Sequence, residues 1–295
     1  MNILISGANG FIGSSLYCFL INEGHTISTI PRHPSPQNSG HLQYDCLIHL
    51  AGRAHILRET SEDAYHAFNE ANVGYTLKVA ELAKKLAIKR FVFISSIGVN
   101  GKHSGSLPFT EQDIPKPHND YARSKWEAEL ALKGFFEGTE TELTIIRPPL
   151  VYGPNPKANF KTLVSLCKYP IPLPFGAIHN KRSLVGIDNL CHFISLCCQH
   201  SEAADQTFLI SDDQDVSLTE LITTIRKALN QPAWLLPVPN TWLRSFFNFL
   251  GKDNLSDQLL ANLQVDVSKA KQLLGWKPIL RLDEGIKNAV ISHVD

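Results

Sequence analysis

Short apolar runs alternate with amphipathic stretches through the first half of the chain, a rhythm that predicts parallel strands joined by helices covering both faces of a sheet. Asn2 to Ser6 reads as the first strand, followed by a glycine-rich turn and a helix over about Ser14 to Glu23 that Gly24 closes. Thr26 to Ile30 is the second strand and Cys46 to Leu50 the next. Between them, Pro31 to Tyr44 is rich in proline, serine, glycine and asparagine and lacks the periodicity of a full helix-strand passage. One long helix is expected over Glu62 to Ala87, its basic end (Lys84, Lys85, Lys89, Arg90) complementing a helix C-terminus. Strand Phe91 to Ser95, a turn-rich loop to His118, a helix over Tyr121 to Phe136 and strand Leu143 to Arg147 complete this half. Beyond Pro148 the chain turns to loops and then helices, with Ser183 to Ile187 and Thr207 to Ser211 as strands returning to the first lobe. The expected division is 1–150 plus about 183–212 as one lobe, and about 151–182 plus 213–295 as a smaller second one.

Composition narrows the function classes. At 295 residues and 43% hydrophobic, the chain can bury two lobes without covalent staples. Lysine plus arginine and aspartate plus glutamate balance at 28 each, so neither nucleic acid nor a membrane surface is expected as a partner. Six cysteines form no C-x-x-C pair and keep no ligand spacing with the twelve histidines, which reads as reduced, buried thiols and no metal site. Met1 runs almost directly into apolar Ile3 to Ile5, with no cationic start, and no apolar run approaches a membrane span, so a soluble, cytoplasmic protein is expected.

Two motifs carry chemistry. Gly7-Ala8-Asn9-Gly10-Phe11-Ile12-Gly13 lies between the first strand and the first helix. There, glycines let the backbone approach a pyrophosphate while the helix start offers free N–H groups and a positive dipole end. This predicts a Rossmann-like, doubly wound α/β fold whose first lobe binds a dinucleotide. Strand two ends in Ile30-Pro31-Arg32-His33, without the carboxylate that grips ribose hydroxyls. Arg32 either faces a 2′-phosphate, which favours NADP(H) over NAD(H), or stands in a solvent-exposed loop. The second motif is Tyr121-Ala122-Arg123-Ser124-Lys125, a Y-x-x-x-K that places phenol and ammonium on one helix face, downstream of Ser95 and Ser96 at a strand end. A free phenol ionises near pH ~10, and a neighbouring ammonium and a positive nicotinamide ring are expected to lower that value. A serine hydroxyl can hold the reacting oxygen beside the phenol.

With "DCLIHLAG", "FVFISSIGVNG", "YARSK", "RPPLVYGP", "KRSLVGIDN" and "DVSKAKQLLGWKP" in order along nearly the whole chain, the sequence resembles the extended short-chain dehydrogenases of the NAD-dependent epimerase/dehydratase family. Within it, the branch resembled is the UDP-glucose 4-epimerase-like one, which also holds 4-keto reductases making UDP-N-acetylquinovosamine for surface polysaccharide. The resemblance implies Ser96, Tyr121 and Lys125 as catalytic residues, Ser96 and Tyr121 at the sugar oxygen and Lys125 on the nicotinamide ribose. It implies cofactor contacts from Gly7, Asn9, Gly10, Phe11, Ile12, Gly13, Arg32, Leu50, Ala51, Gly52, Tyr121, Lys125 and Pro148 to NAD or NADP. Arg182 would clamp a UDP diphosphate with help from Asn159, the alternative for Arg182 being a surface salt bridge. A homodimer through the faces of the Glu62 to Ala87 and Tyr121 to Phe136 helices is implied as well.

Three departures from the family pattern qualify this reading. A strand and helix are missing around Pro31 to Tyr44, Leu150 stands where many relatives carry asparagine, and Ile97-Gly98 replaces the Asp-Glu pair of dehydratases. Hydride transfer at C4 of a UDP-hexose or UDP-N-acetylhexosamine is therefore expected rather than dehydration. The shortened adenosine side tilts the expectation from a 4-epimerase that retains NAD toward a 4-keto reductase. A dinucleotide-binding sensor without turnover is the reading from another class. His49, His55, Trp126, Trp276 and the Cys197-Cys198 pair are read as structural.

Overall fold

The computed structural model describes residues 1–31, 43–53, 61–155 and 158–291, without the side chains of 61–64, 158 and 159. The first half of the chain lays down five parallel strands: β1 (Asn2–Ser6), β2 (Thr26–Ile30), β3 (Cys46–His49), β4 (Arg90–Ile94) and β5 (Glu142–Arg147). Two short strands, β6 (Leu150–Tyr152) and β7 (Leu184–Gly186), pair with each other in a separate small sheet. β8 (Thr207–Leu209) then adds to β5, giving a six-stranded sheet in the order β2-β1-β3-β4-β5-β8. All four residues of β3 and all five of β4 are buried, as expected of strands covered on both faces.

The helices follow from the apolar faces. α1 (Phe11–Asn22) and α6 (Ile187–Gln199) cover one face through Leu16, Leu20, Phe193 and Ile194. The other face is covered by α2 (Ser61–Asn69), a π-helical turn (Glu70–Gly74), α3 (Tyr75–Lys85) and α4 (Asp120–Phe136), with Val79, Ala83, Ala128 and Leu132 on Phe91 and Phe93. A third core, around Tyr152, Phe160, Leu221, Ile225 and Ile286, belongs to the second lobe. It is built from α5 (Ala158–Cys167), α7 (Leu218–Ala228), α8 (Asn240–Phe249), α9 (Asp253–Leu260) and α11 (Leu282–Ile291), while α10 (Ser268–Leu274) returns to the first core with Trp276. His49 is buried and bonded to Ser6 and Thr76, Trp276 is buried beside Phe193, and Cys197 and Cys198 are buried free thiols of α6. These match their structural reading; His55 lies outside the described residues.

Three elements differ from the pattern-based expectation. The single helix over Glu62 to Ala87 is interrupted by the π-helical turn at Asn72, a buried polar residue whose side chain is drawn away to the loop after β3. The first helix starts at Phe11 rather than Ser14, because Gly10 holds an extended N-cap conformation. Ser183 to Ile187 contributes β7, which pairs with β6 and not with the large sheet; β6 itself went unread because Pro148 and Pro154 mark its surroundings as loop.

Candidate active site

Connections from β1 to β2 and from β2 to β3 place those strands on opposite sides of β1, so a crevice opens at the C-terminal ends of β1 and β3. The glycine turn fills its floor. Gly7 has φ +78, and a Cβ there would lie 2.6 Å from the Ala51 nitrogen. At Gly13 a Cβ would lie 2.1 Å from the Gly7 carbonyl oxygen, so α1 can approach the turn only without a side chain. Gly10 caps α1 with no side-chain hydrogen bond, which leaves the first N–H groups of the helix aimed at the crevice. A cavity of about 1680 Å³ stands over the turn, lined by Gly7, Asn9, Gly10, Leu50, Ala51 and Gly52 and continuing past Ile30 to Tyr75. Such a cradle fits a dinucleotide: bare backbone where a pyrophosphate passes, and an uncapped helix end to receive its charge. Phe11, Ile12 and Gly13 form the first turn of that helix, and Arg32 lies outside the described residues.

Beyond Gly52 stand the three reactive side chains. Asn119 is the N-cap of α4, its Oδ1 accepting from the Ala122 N–H at 2.8 Å, and this fixes Tyr121 and Lys125 one turn apart on the same face. Tyr121 is half-buried against Phe68, with the Ser96 hydroxyl near enough to favour the ionised phenol. Ser96 in turn caps a 3-10 turn (Ile97–Val99), accepting from Gly98 N–H at 3.1 Å, and Pro148 accepts from the N–H of Ile97 at 3.0 Å. Lys125 is buried, donates to the Ile94 carbonyl at 2.9 Å and lies 4.7 Å from the Phe93 ring centre. A Cβ on Gly52 would be 3.1 Å from the Lys125 ammonium, so the glycine opens the path from Lys125 to the cavity.

Ionisation differs from the sequence expectation. Burial pushes the Tyr121 phenol up to about 12, and the influence that opposes it is the neighbouring Ser96 hydroxyl rather than the lysine. Burial draws the Lys125 ammonium down to about 8 against an opposing pull from Glu129. In the protein alone the phenol is therefore a proton donor, and its use as a base depends on positive charge brought by a ligand.

Residues that sequence reasoning missed hold this arrangement in place. Glu129, one turn beyond Lys125, forms a buried two-point ion pair with Arg147 at 2.6 and 2.9 Å and accepts from Ser95 at 2.5 Å, which commits Ser95 to structure and leaves Ser96 for the reaction. Asn72 donates to Ser124 at 2.9 Å while exchanging hydrogen bonds with the Arg53 backbone at 2.7 and 3.0 Å, tying α4 to the loop that carries Gly52. His118 is bonded to Asn119 at 3.0 Å, and burial lowers its pKa. The available signal was polarity on an apolar face: Asn72 and Glu129 sit at buried helix positions. Arg182 is half-buried in the second lobe, its guanidinium donating to the Ala261 carbonyl at 3.0 Å, and burial lowers its pKa to about 10. It makes no surface salt bridge among the described residues. Asn159 belongs to α5, its side chain outside the description. Among the described residues no cluster of three metal-ligating side chains occurs.

A profile of the NAD dependent epimerase/dehydratase family matches residues 3–211. The chain belongs to this family. A UDP-glucose 4-epimerase of Vibrio cholerae is 39% identical, over 97% of this chain and 93% of that protein. The fold is shared with RMD of Pseudomonas aeruginosa, solved with NADPH (TM-score 0.79, 18% identity, 99% of each chain). It is also shared with UDP-glucuronic acid 4-epimerase of Bacillus cereus, solved with NAD (TM-score 0.75, 20% identity, 99% of this chain and 98% of that one). As a member of this family of epimerases and dehydratases, the chain is an NAD(P)-dependent enzyme, and these two structural neighbours were solved with NADPH and with NAD respectively. Among the described residues no helix is long and apolar enough to cross a membrane.

Proposed function

We propose that this enzyme interconverts C4 epimers of a UDP-hexose or UDP-N-acetylhexosamine. The observation that carries the reading is the meeting of the Tyr121 phenol with the Ser96 hydroxyl, which favours its ionised form, and with the Lys125 ammonium one helical turn below, at the C-terminal edge of a dinucleotide-type sheet. The bound nicotinamide supplies the acceptor and donor of hydride. Gly7, Asn9, Gly10, Phe11, Ile12, Gly13, Leu50, Ala51, Gly52 and Pro148 are the residues that would surround the dinucleotide, Lys125 reaching its ribose. Tyr121 exchanges the proton on the sugar O4, and Ser96 donates a hydrogen bond that keeps that oxygen beside the phenol. Arg182, with Asn159, would serve as the diphosphate clamp, and Arg32 would favour NADP(H) over NAD(H). A homodimer built on α2, α3 and α4 belongs to the same reading.

The sequence tilted toward 4-keto reduction; the 39% identical relative carries an epimerase name, and epimerisation is the reading adopted. The test incubates purified protein with UDP-glucose and UDP-N-acetylglucosamine, with and without added NAD(H) and NADP(H). Interconversion of epimers without net consumption of cofactor is expected. Stoichiometric loss of reduced cofactor with 4-keto UDP-sugars, and no epimerisation, would make it a reductase. No turnover of either substrate class, with Tyr121→Phe changing nothing measurable while binding of a partner persists, would favour the sensor reading.

A further inference from the structure

The second lobe carries an apolar surface that the reaction does not use. On α8, Trp242 (72% exposed), Phe246 and Phe249 (87% exposed) stand at helical spacing on one side, while Leu243 and Phe247 bury the opposite side against the lobe's core. Beside α8 in the chain, two loops run together, Leu173 N–H donating to Trp234 O at 3.0 Å and Leu236 N–H to Leu173 O at 2.8 Å. They expose Tyr169, Ile171, Trp234 and Leu236. Both loops are pinned from beneath by the buried Arg226, whose guanidinium donates to the carbonyls of Ile171 at 2.6 Å and of Pro232 and Trp234 at 3.1 Å. The lobe thus spends a buried cation on fixing loops whose apolar side chains point to solvent, and monomeric proteins rarely leave so many large apolar groups together without a partner.

Charge identifies the partner. The balance of 28 cations and 28 acids is not spread evenly. Residues 143–187 contain six Lys or Arg and no Asp or Glu, and residues 221–252 contain four and none; of these ten, Arg147, paired with Glu129, and Arg226, beneath the loops, are buried. All 28 acids lie elsewhere with the remaining 18 cations. These two acid-free stretches are the ones that build the apolar surface. Lys161, Lys227 and Lys252 are exposed, Lys168 is half-buried next to Tyr169, and Arg244 is engaged by Asp257 at 3.6 Å. The nearest acid in sequence, Asp253, opens α9.

We infer that this face docks on a bilayer surface carrying anionic lipids, with the tryptophans, tyrosine and phenylalanines at headgroup depth and the lysines against lipid phosphates. This departs from the expectation drawn from total charge, because a net of zero conceals a basic lobe on an acidic remainder. It requires no membrane-crossing helix, and it does not depend on the proposed reaction.

The test is co-sedimentation of the full chain with vesicles of phosphatidylcholine alone and of phosphatidylcholine with an equal part of phosphatidylglycerol, at low and high salt. The expected result is binding to the anionic vesicles that falls at least about tenfold without phosphatidylglycerol and weakens with salt. Trp242→Ser with Phe249→Ser, and separately Lys227→Glu with Lys252→Glu, should each lower partitioning at least about tenfold while leaving epimerisation of a UDP-sugar in solution unchanged. All four positions are exposed, so at least one pair should fold as wild type. Failure of wild type to bind anionic vesicles, or equal binding by both variants, would overturn the inference. So would a wild-type oligomer that the aromatic variant turns to monomer, which would assign the face to a second copy. Because vesicle binding is read without substrate, its failure is separate from failure of the proposed reaction.

Discussion

Lys125 concentrates the tension between stability and chemistry. Its charge is buried, and with a pKa near 8 against 10.5 unfolded, the unfolded chain binds more protons across that window. The folded pKa is depressed, so this residue's penalty is full below pH 8 and fades as pH rises toward 10.5. Stability should therefore rise through that window while kcat/KM falls as the ammonium is lost. Lys125→Met should abolish turnover yet stabilise the protein at pH 7 by roughly 2 kcal/mol, about 3 from the relieved charge less about 1 for the lost hydrogen bond. Denaturant unfolding of both proteins at several pH values checks this, and the difference should shrink above pH 8. Tyr121→Phe should lower kcat by about 10²–10⁴ with little change in cofactor affinity, measured by nicotinamide fluorescence titration.

Among the elements, the glycine turn and α4 set the geometry. Gly13→Ala would drive a methyl into the Gly7 carbonyl, 2.1 Å away, so α1 must shift; a loss of about 1–3 kcal/mol and weaker dinucleotide binding are expected in thermal unfolding and titration. Glu129→Gln would strip Arg147 of its buried partner and should cost about 3–5 kcal/mol, with an altered pH profile from Lys125. These elements also show what could be read from sequence. The turn and the Tyr121–Lys125 spacing were legible because their geometry is local: residues four apart on a helix share a face. Spacing alone did not separate Ser95 from Ser96, and only the family resemblance favoured Ser96, since Ser95 is committed by Glu129, 34 residues away. Asn72 and its π-helical turn were illegible for the same reason, its partners Arg53 and Ser124 being 19 and 52 residues away. In the protein alone burial, a tertiary property, raises the phenol and Lys125 is not among the influences that lower it; the expectation also rested on the charge of a bound nicotinamide.

For the whole molecule, the doubly wound order was foreseeable from alternating strands and helices, but β6 and β7 were not, because strands of three residues carry too little pattern to stand out from their prolines. The same scale explains why total charge misled: averaging over 295 residues erased a basic lobe. It is also the scale at which the proposed chemistry is joined, since the cofactor cradle, the Tyr121 phenol and Arg182 come from separate parts of the chain. The most direct test follows an isotope across that junction. With UDP-glucose deuterated at C4 and NAD or NADP, wild-type protein should move deuterium from the sugar to the nicotinamide and back, slowed by a primary isotope effect and abolished in Tyr121→Phe. If no deuterium reaches the nicotinamide from this sugar or its N-acetyl analogue, or if Tyr121→Phe transfers it as fast as wild type, the site does not perform the reaction assigned to it.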